Sequence, residues 1–315
     1  MAILITGGLG VIGTRLTDTL RAHGHDVKVT DLAIFKDPNY IRADVCEYFE
    51  LDRVFRQWPI EHVFHLAGEV GRENGELFPK RCVDVNVSGL LNLIQLCREH
   101  GARLYFASSS EVYGERGSDA LLTEDLIDRV PVQPHNCYGL SKLQAEQYIQ
   151  HFVDYYDLEA LSFRFFMCYG PPEYPNPFRS AMTNFVYQAL RLEPIRAHEG
   201  TARSWCFIDD IVEGCRLAME RFDPARGYQA YNIGRVGLVD MVECAKLVCR
   251  LAGAPEDLVE VTQPGQFVTH VKNASFDKAY DHFGFEAKID LEEGIRRTIE
   301  WQREYVVPDT PAAVV

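Results

Sequence analysis

Short apolar runs alternate with amphipathic stretches over the first half of the chain. Residues 11–23 and 83–100 carry apolar side chains at helical spacing, so both stretches are predicted helices. Apolar runs of strand type flank them at residues 2–6, 27–31, 62–67, 103–108 and 160–167. Strands that alternate with helices predict a parallel sheet covered by helices on both sides, which is a doubly wound α/β fold.

The alternation loosens after Pro171. Residues 171–201 contain closely spaced prolines and then a short helical pattern, which predicts an insertion beside the sheet. Strand-like pieces at 205–208 and 230–233 are predicted to return to the main sheet. We therefore expect a sheet domain formed by residues 1–170, with 201–234 returning to it. Residues 171–200 and 235–305 are expected to form a smaller mixed C-terminal lobe, and residues 306–315 a flexible tail.

A glycine-rich turn follows the first predicted strand. Gly7 and Gly10 lie between that strand and the next helix and Gly13 lies in the first turn of the helix, where backbone N–H groups and the positive helix end can hold a pyrophosphate. The second predicted strand ends in Asp31. Its carboxylate can accept hydrogen bonds from ribose hydroxyls and would repel a 2′-phosphate, so the pattern favours NAD over NADP.

A second pattern is Tyr138-Gly-Leu-Ser-Lys142. Residues i and i+4 share a helix face, so the Lys142 ammonium is predicted to lie near the Tyr138 phenol. A nearby cation lowers the pKa of a phenol, which would make Tyr138 a proton acceptor near neutral pH. The spacing therefore indicates redox chemistry on an alcohol.

Composition limits the functional classes. The chain has 315 residues, is 47% apolar and carries a net charge of −14, which disfavours nucleic acid and anionic membrane surfaces as partners. Nine cysteines without a CxxC pair indicate reduced thiols, and no metal site is predicted. No stretch reaches about 18 apolar residues, and the first strand begins at residue 2, so we expect a cytoplasmic protein.

The motifs together resemble those of the extended short-chain dehydrogenases/reductases, a superfamily of nucleotide-sugar epimerases, dehydratases and decarboxylases, over nearly the whole chain. Further ordered matches are Ala43-Asp44-Val45, His65-Leu-Ala-Gly68, Asn86-Val87-Ser88-Gly89, Ser108 to Gly114, Arg164, Tyr169 to Pro171 and Arg203 to Asp210. The resemblance implies a Rossmann-type fold, a homodimer built on helices 83–100 and 139–155, and NAD contacts from Gly7, Gly10, Val11, Ile12, Gly13, Asp31, Asp44, Val45, Leu66, Ala67, Gly68, Asn86, Ser108, Tyr138 and Lys142.

By the same resemblance, Ser109, Tyr138 and Lys142 are the catalytic trio. Ser109 would hydrogen-bond the sugar hydroxyl, Tyr138 would take the C4 hydroxyl proton, and Lys142 would also hold the nicotinamide ribose. The substrate would be a nucleotide-diphosphate sugar, and its product a transient 4-keto sugar.

By the resemblance, the residue at position 111 indicates which reaction follows C4 oxidation. The position is a glutamate in 4,6-dehydratases and UDP-glucuronate decarboxylases and is usually small or neutral in 4-epimerases. A 4,6-dehydratase in which Glu111 removes the C5 proton is the leading hypothesis. A 4-epimerase is the alternative, followed by a UDP-glucuronate decarboxylase and then a non-catalytic NAD-binding protein.

Further residues are predicted to face the substrate. Met167 stands where relatives usually have a substrate-contacting Asn, and Ser110 stands where dTDP-glucose dehydratases have an Asp acid. Lys272 is predicted to replace an arginine that clamps the diphosphate, and Arg203 to bind the nucleotide ribose or diphosphate. The remaining substrate candidates are Glu69 and Arg179. Cys137 and Cys168 flank motifs and are predicted to be small apolar fillers.

Overall fold

The computed structural model describes residues 2–118, 120–266 and 268–307, so positions 308–315 of the predicted tail lie outside the described residues. Its helices are α1 (Val11–Ala22), α2 (Tyr48–Gln57), α3 (Arg72–Leu77), α4 (Pro79–Val83), α5 (Gly89–His100), α6 (Leu126–Arg129), α7 (Cys137–Tyr156), α8 (Ala181–Leu190), α9 (Ile208–Glu220), α10 (Met241–Ala252), α11 (Asp277–Phe283) and α12 (Leu291–Tyr305). Its strands are β1 (Ala2–Thr6), β2 (Asp26–Asp31), β3 (Tyr40–Arg42), β4 (Ile60–His65), β5 (Arg103–Ser109), β6 (Ala160–Phe165), β7 (Cys168–Tyr169), β8 (Ile195–His198), β9 (Ala202–Arg203), β10 (Cys206–Phe207), β11 (Gln229–Ile233), β12 (Val239–Asp240) and β13 (Val259–Thr262).

Seven of these strands form one parallel sheet in the order β11-β6-β5-β4-β1-β2-β3. The order runs outward in both directions from β1 and β4, which is the doubly wound arrangement. The predicted fold class is therefore confirmed. The carboxyl ends of all seven strands lie along the same edge of the sheet.

The sheet is buried on both faces. Along β1, Ile3 and Ile5 pack into one apolar cluster while Ala2 and Leu4 pack into another on the opposite face. Each of the four side chains is at most 2% exposed. Consecutive strand residues point to opposite faces, so a continuous apolar run such as β1 fits a strand covered by helices on both sides.

The structure differs from the predictions in three places. Residues 206–207 do not join the main sheet but pair with β7 in a two-stranded sheet, so the prediction for 205–208 is wrong, whereas β11 does return beside β6. The predicted helix 83–100 contains a π-helical turn at Asp84–Ser88 between α4 and α5. Strand β6 ends at Phe165 because Met167 takes a left-handed backbone conformation with φ +28°.

The C-terminal segments bring a loop against the carboxyl edge of the sheet. Strand β9 pairs with β12, and the chain near Val271 and Ala274 bridges to Ala202 and Leu122. These bridges carry Lys272 inward, where it is 1% exposed. Within the described ranges, no helix is both long enough and apolar enough to cross a membrane.

Candidate active site

The glycine turn is shaped for close approach of another backbone. Gly7 has φ +68°, and a Cβ at this position would lie 2.6 Å from the Ala67 nitrogen. A Cβ at Gly13 would lie 2.3 Å from the Gly7 carbonyl oxygen. Side chains at either position would therefore push β1, α1 and the loop after β4 apart.

The beginning of α1 and the end of β2 fit the pyrophosphate and ribose of a dinucleotide. No side-chain oxygen caps the first turn of α1 at Gly10 in the described structure, and no acidic residue lies in that turn. Asp31 accepts hydrogen bonds from the backbone nitrogens of Leu9 (3.0 Å) and Leu32 (2.7 Å), which hold its carboxylate beside the glycine turn. Val11 and Ile12 begin α1 and pack on the core behind the turn.

Other expected cofactor residues form the floor of this region. Gly68 leaves room for two polar groups, since a Cβ there would lie 3.0 Å from Asn86 Oδ1 and 3.2 Å from Lys142 Nζ. Leu66 donates its backbone nitrogen to Thr6, while Ala67 packs at the edge of the apolar cluster. Asp44 caps its own turn by accepting from the Cys46 nitrogen, and Val45 is buried against Gly89.

Asn86 and Ser108 are used for holding the protein together. Asn86 donates to Ser141 Oγ (2.9 Å) and to the Glu69 carbonyl (3.0 Å), and it accepts from the Glu69 nitrogen (2.8 Å). The Ser108 hydroxyl donates to buried Glu146. Both side chains therefore hold α7 and the loop after β4 in place, and the cofactor contacts expected of them stay predictions.

Ser109, Tyr138 and Lys142 come together as the sequence predicts. Ser109 ends β5, and its hydroxyl lies close enough to the Tyr138 phenol to lower the pKa of that phenol. Lys142 lies one turn further along α7, with its ammonium 5.9 Å from the centre of the Tyr138 ring and donating to the Ala107 carbonyl at 2.8 Å. The arrangement places a hydroxyl donor, a phenol and an ammonium around one point above the sheet.

Burial governs the proton affinities of the pair. It raises the pKa of Tyr138 to about 12, and the Glu111 carboxylate adds to that rise while the Ser109 hydrogen bond opposes it. Burial also lowers the pKa of Lys142 to about 8. The lowered pKa predicted for Tyr138 is thus not found in the protein alone, because loss of hydration outweighs the attraction of an ammonium that does not contact the phenol oxygen.

Glu111 is held in an ion pair that the sequence analysis did not predict. Its carboxylate accepts from Lys272 Nζ and from Asn136 Nδ2, the latter at 3.0 Å. Burial alone would raise the pKa of Glu111, but the charges of Lys272 and Arg72 and these hydrogen bonds outweigh it, so the pKa is lowered. Glu111 is therefore a carboxylate at neutral pH, although its side chain is only 12% exposed.

Lys272 does not take the place predicted for it. Besides Glu111, its ammonium donates to Ser110 Oγ at 3.0 Å, so it lies against the end of β5 instead of facing outward to clamp a diphosphate. The bridges of its loop to Leu122 and Ala202 explain the difference. Burial lowers the pKa of this lysine, assisted by Arg203 and Arg72 and opposed by Glu111.

The other predicted substrate residues differ in their surroundings. Arg203 is buried and donates to the carbonyls of Ala202, Thr269 and His270. These bonds occupy several N–H groups of the guanidinium that was predicted to bind a diphosphate. Glu69 pairs with Arg81 at 2.5 Å. Met167 packs at the edge of the core, and Arg179 is exposed on the proline-rich segment.

The two cysteines that flank the motifs, Cys137 and Cys168, are free thiols. Burial raises the pKa of both Cys137 and Cys168, which keeps their thiols protonated.

Asn136 and Arg72 were not singled out from the sequence, although Asn immediately before a helical segment is a recognisable N-cap signal. Asn136 caps α7 by accepting from the Gly139 nitrogen at 2.8 Å while its amide holds Glu111.

The chemistry available follows from these contacts. Tyr138 can accept a proton from an alcohol whose oxygen also reaches Ser109. Glu111 is a second, ionised base in the same space, because its charge acts on the Tyr138 phenol. A site with two bases can remove a hydroxyl proton and then a proton from a neighbouring carbon.

Comparison with known proteins agrees with this geometry. The sequence model of the NAD dependent epimerase/dehydratase family matches residues 3–234. UDP-glucuronic acid decarboxylase 4 of Arabidopsis thaliana is 29% identical over 323 residues, which cover 98% of this chain and 70% of that protein. UDP-glucuronate 4-epimerase 1 of the same plant is 27% identical over an alignment of 354 residues, and the alignment covers 100% of this chain and 80% of that protein.

A solved structure extends the likeness to three dimensions. The UDP-glucose 4-epimerase of Thermus thermophilus in complex with NAD has a TM-score of 0.86 to this chain at 28% identity, covering 97% of this chain and 100% of that one. The match over residues 3–234 and the glycine cradle lead to the same conclusion: the chain belongs to the NAD dependent epimerase/dehydratase family, and it is an enzyme whose cofactor is NAD.

Proposed function

We propose that this enzyme acts on a nucleoside-diphosphate sugar, oxidises it transiently at C4 and then eliminates water across C5 and C6, as a 4,6-dehydratase. The observation that carries the proposal is the ionised Glu111 carboxylate beside Tyr138. An epimerisation at C4 needs one base, whereas this site holds a second that is buried and oriented by two hydrogen bonds.

The residues divide the reaction between them. Ser109 orients the C4 hydroxyl by hydrogen bonding, and Tyr138 accepts its proton. Lys142 holds a positive charge beside the developing phenolate, which favours the ionised tyrosine. Glu111 takes the C5 proton, which the C4 ketone has made acidic, and the electron pair of that C–H bond forms the C5–C6 double bond as the C6–O bond breaks.

NAD bound along the glycine turn would supply the hydride acceptor for C4 oxidation and the hydride donor for the reduction that follows elimination. Gly7, Gly13 and Asp31 are the residues that would hold its pyrophosphate and ribose. We also propose that residues 171–200 and 235–305 form the lobe that binds the sugar, since Lys272 reaches Glu111 from there.

A second candidate is a reaction on a uronate, ending in decarboxylation or in inversion at C4. Three cations, Arg72, Arg203 and Lys272, lie around Glu111, and Glu115 is a second carboxylate that acts on Arg203. Such an excess of positive charge would suit a C6 carboxylate. The two relatives from Arabidopsis thaliana, whose names specify UDP-glucuronate, support this candidate.

One experiment separates these reactions. The enzyme is incubated with NAD in deuterated water and, in turn, with UDP-, dTDP-, GDP- and CDP-hexoses and with UDP-glucuronate, and the products are measured by mass spectrometry. Loss of water with solvent deuterium at C5 is expected. Loss of carbon dioxide would establish a decarboxylase, and a new isomer of unchanged mass would establish an epimerase.

The Glu111→Gln variant tests the role of the carboxylate. Because the amide cannot accept the C5 proton, we expect C4 oxidation to remain visible as NADH absorbance while water loss falls by about 10²- to 10⁴-fold. The control is Glu115→Gln, which changes a glutamate beyond the kink at Gly114 that accepts from the His270 nitrogen. Full turnover by Glu111→Gln would contradict the dehydratase proposal.

We further propose a homodimer that pairs the outer faces of α5 and α7. Leu91 and Phe152 are half-buried in a groove between these helices, beside Gln95, Arg98 and Glu99. Tyr155, on the same stretch of α7, is 75% exposed. A cytoplasmic location remains a prediction from the sequence.

A further inference from the structure

Elimination of water needs an acid as well as a base, because hydroxide is a poor leaving group unless it receives a proton as the C6–O bond breaks. Glu111 is ionised and cannot supply that proton. Ser110 can, because this buried residue follows Ser109 directly in the chain and its hydroxyl accepts from the same Lys272 ammonium that contacts Glu111. A serine gives up its proton only if another group replaces it.

Lys272 is placed to replace that proton. Its ammonium donates to Ser110 Oγ at 3.0 Å and also contacts the Glu111 carboxylate. We infer that Lys272 and Ser110 form the acid of the elimination, in which Ser110 protonates the departing C6 oxygen while Lys272 reprotonates Ser110. This inference rests on the proposed dehydratase reaction.

The surroundings of Lys272 favour proton transfer near neutral pH. The charged groups that act on its ammonium are Glu111 from the segment after β5, Arg203 from β9 and Arg72 from α3. Burial and the two arginines lower the pKa of Lys272, and only Glu111 opposes them. An ammonium in these surroundings loses a proton more readily than one in water.

The protons balance over one cycle. Glu111 takes the C5 proton, Ser110 gives one to the C6 oxygen, and Lys272 gives one to Ser110, so that water leaves and a C5–C6 double bond forms. Glu111 exchanges its proton with solvent, and when the hydride returns to C6 it gives a solvent-derived proton to C5. Lys272 then recovers a proton from solvent, and Tyr138 releases the one it took from the C4 hydroxyl.

The test compares two leaving groups, because fluoride departs without a proton. Water loss from UDP- and dTDP-glucose and fluoride release from the corresponding 6-deoxy-6-fluoro sugars are measured for the wild type and for Lys272→Met. Because Lys272→Met also removes one of the two hydrogen bonds that orient Glu111, we expect both eliminations to slow, with water elimination falling at least about tenfold further than fluoride release and NADH formation changing less than about fivefold. The control, Lys278→Met, removes a half-buried ammonium on the neighbouring helix α11 that donates to the Ala230 carbonyl.

The Ser110→Ala variant is the second test, and it can still refute the inference if Lys272→Met does not fold. It should show the same selective loss of water elimination. Equal losses for water and fluoride, or no loss for either, would overturn the inference. A wild type that eliminates neither group from any of these sugars would instead overturn the dehydratase proposal, and that failure is visible before any variant is compared.

Discussion

Tyr138 and Lys142 lie one turn apart on α7, and burial acts on them in opposite directions. It raises the pKa of the phenol to about 12 and lowers that of the ammonium to about 8. Removal of water disfavours the charged form of each group, and the phenolate is the charged form of one while the ammonium is the charged form of the other. The pair therefore depends on further positive charge, such as an oxidised nicotinamide, to make Tyr138 a base.

This balance predicts how C4 oxidation depends on pH. Tyr138 acts as a base only when ionised, so single-turnover NADH formation should increase with pH as the phenol ionises. Lys142→Met removes an ammonium 5.9 Å from the centre of the Tyr138 ring and should move that increase to higher pH. Tyr138→Phe should reduce the rate about 10²- to 10⁴-fold.

Tyr105→Phe provides the matched control, because Tyr105 is a buried tyrosine whose hydroxyl contacts His62, away from the catalytic trio. It should leave both the rate and its pH dependence unchanged. A Lys142→Met profile that coincides with the wild type would contradict the assignment of Lys142 as the cation that favours phenolate.

At the scale of elements, the beginning of α7 organises the site. Asn136 caps the helix through the Gly139 nitrogen, and its amide orients Glu111. A Cβ at Gly139 would lie 2.9 Å from the Glu111 carbonyl oxygen, so α7 and the segment after β5 are packed tightly. One asparagine thereby fixes the distance between the two proposed bases.

Asn136→Ala should therefore affect stability and activity together. Loss of the cap is expected to lower the free energy of unfolding by about 1 kcal/mol. Loss of the hydrogen bond to Glu111 should reduce water elimination more than C4 oxidation. Denaturant titration and the two activity assays measure these effects.

Asp290→Ala separates the two effects. Asp290 caps α12 by accepting from the Glu293 nitrogen at 2.8 Å, which leaves the site untouched. A similar loss of stability with normal activity is expected for this variant. If Asp290→Ala and Asn136→Ala reduced water elimination equally, capping alone would explain both.

At the scale of the whole molecule, charge is distributed unevenly. The chain carries a net charge of −14, yet Arg72, Arg203 and Lys272 gather around Glu111. These residues come from α3, β9 and the loop before α11, so folding brings together three cations that are far apart in the sequence. A phosphorylated sugar would be attracted to this region in spite of the acidic surface elsewhere.

The proposed homodimer gives a prediction at the same scale. Sedimentation velocity should yield twice the chain mass of 35.9 kDa, and Leu91→Glu should shift the protein to monomer because a charge in the groove would be buried on association. Val261→Glu, on β13 and 53% exposed, should leave the mass unchanged. A wild type of single-chain mass at all concentrations would refute the proposed interface.

The fold and the cofactor cradle could be predicted from the sequence because their signals are local. The order of apolar runs and amphipathic helices indicates a doubly wound sheet, and a glycine turn with an acid at the end of the next strand is a pattern of neighbouring residues. The Tyr138 and Lys142 pair belongs to the same class, since helical spacing alone places the two side chains on one face.

Only the tertiary structure decided the environment of Glu111. Lys272 follows it by 161 positions, and the loop that carries the lysine is placed by bridges to Leu122 and Ala202. The Tyr138 pKa and the uses of Ser108, Asn86 and Arg203 depend likewise on burial and on partners far away in sequence. Periodicity and motif spacing describe the chain over a few turns or strands, whereas desolvation and ion pairing depend on how distant segments pack.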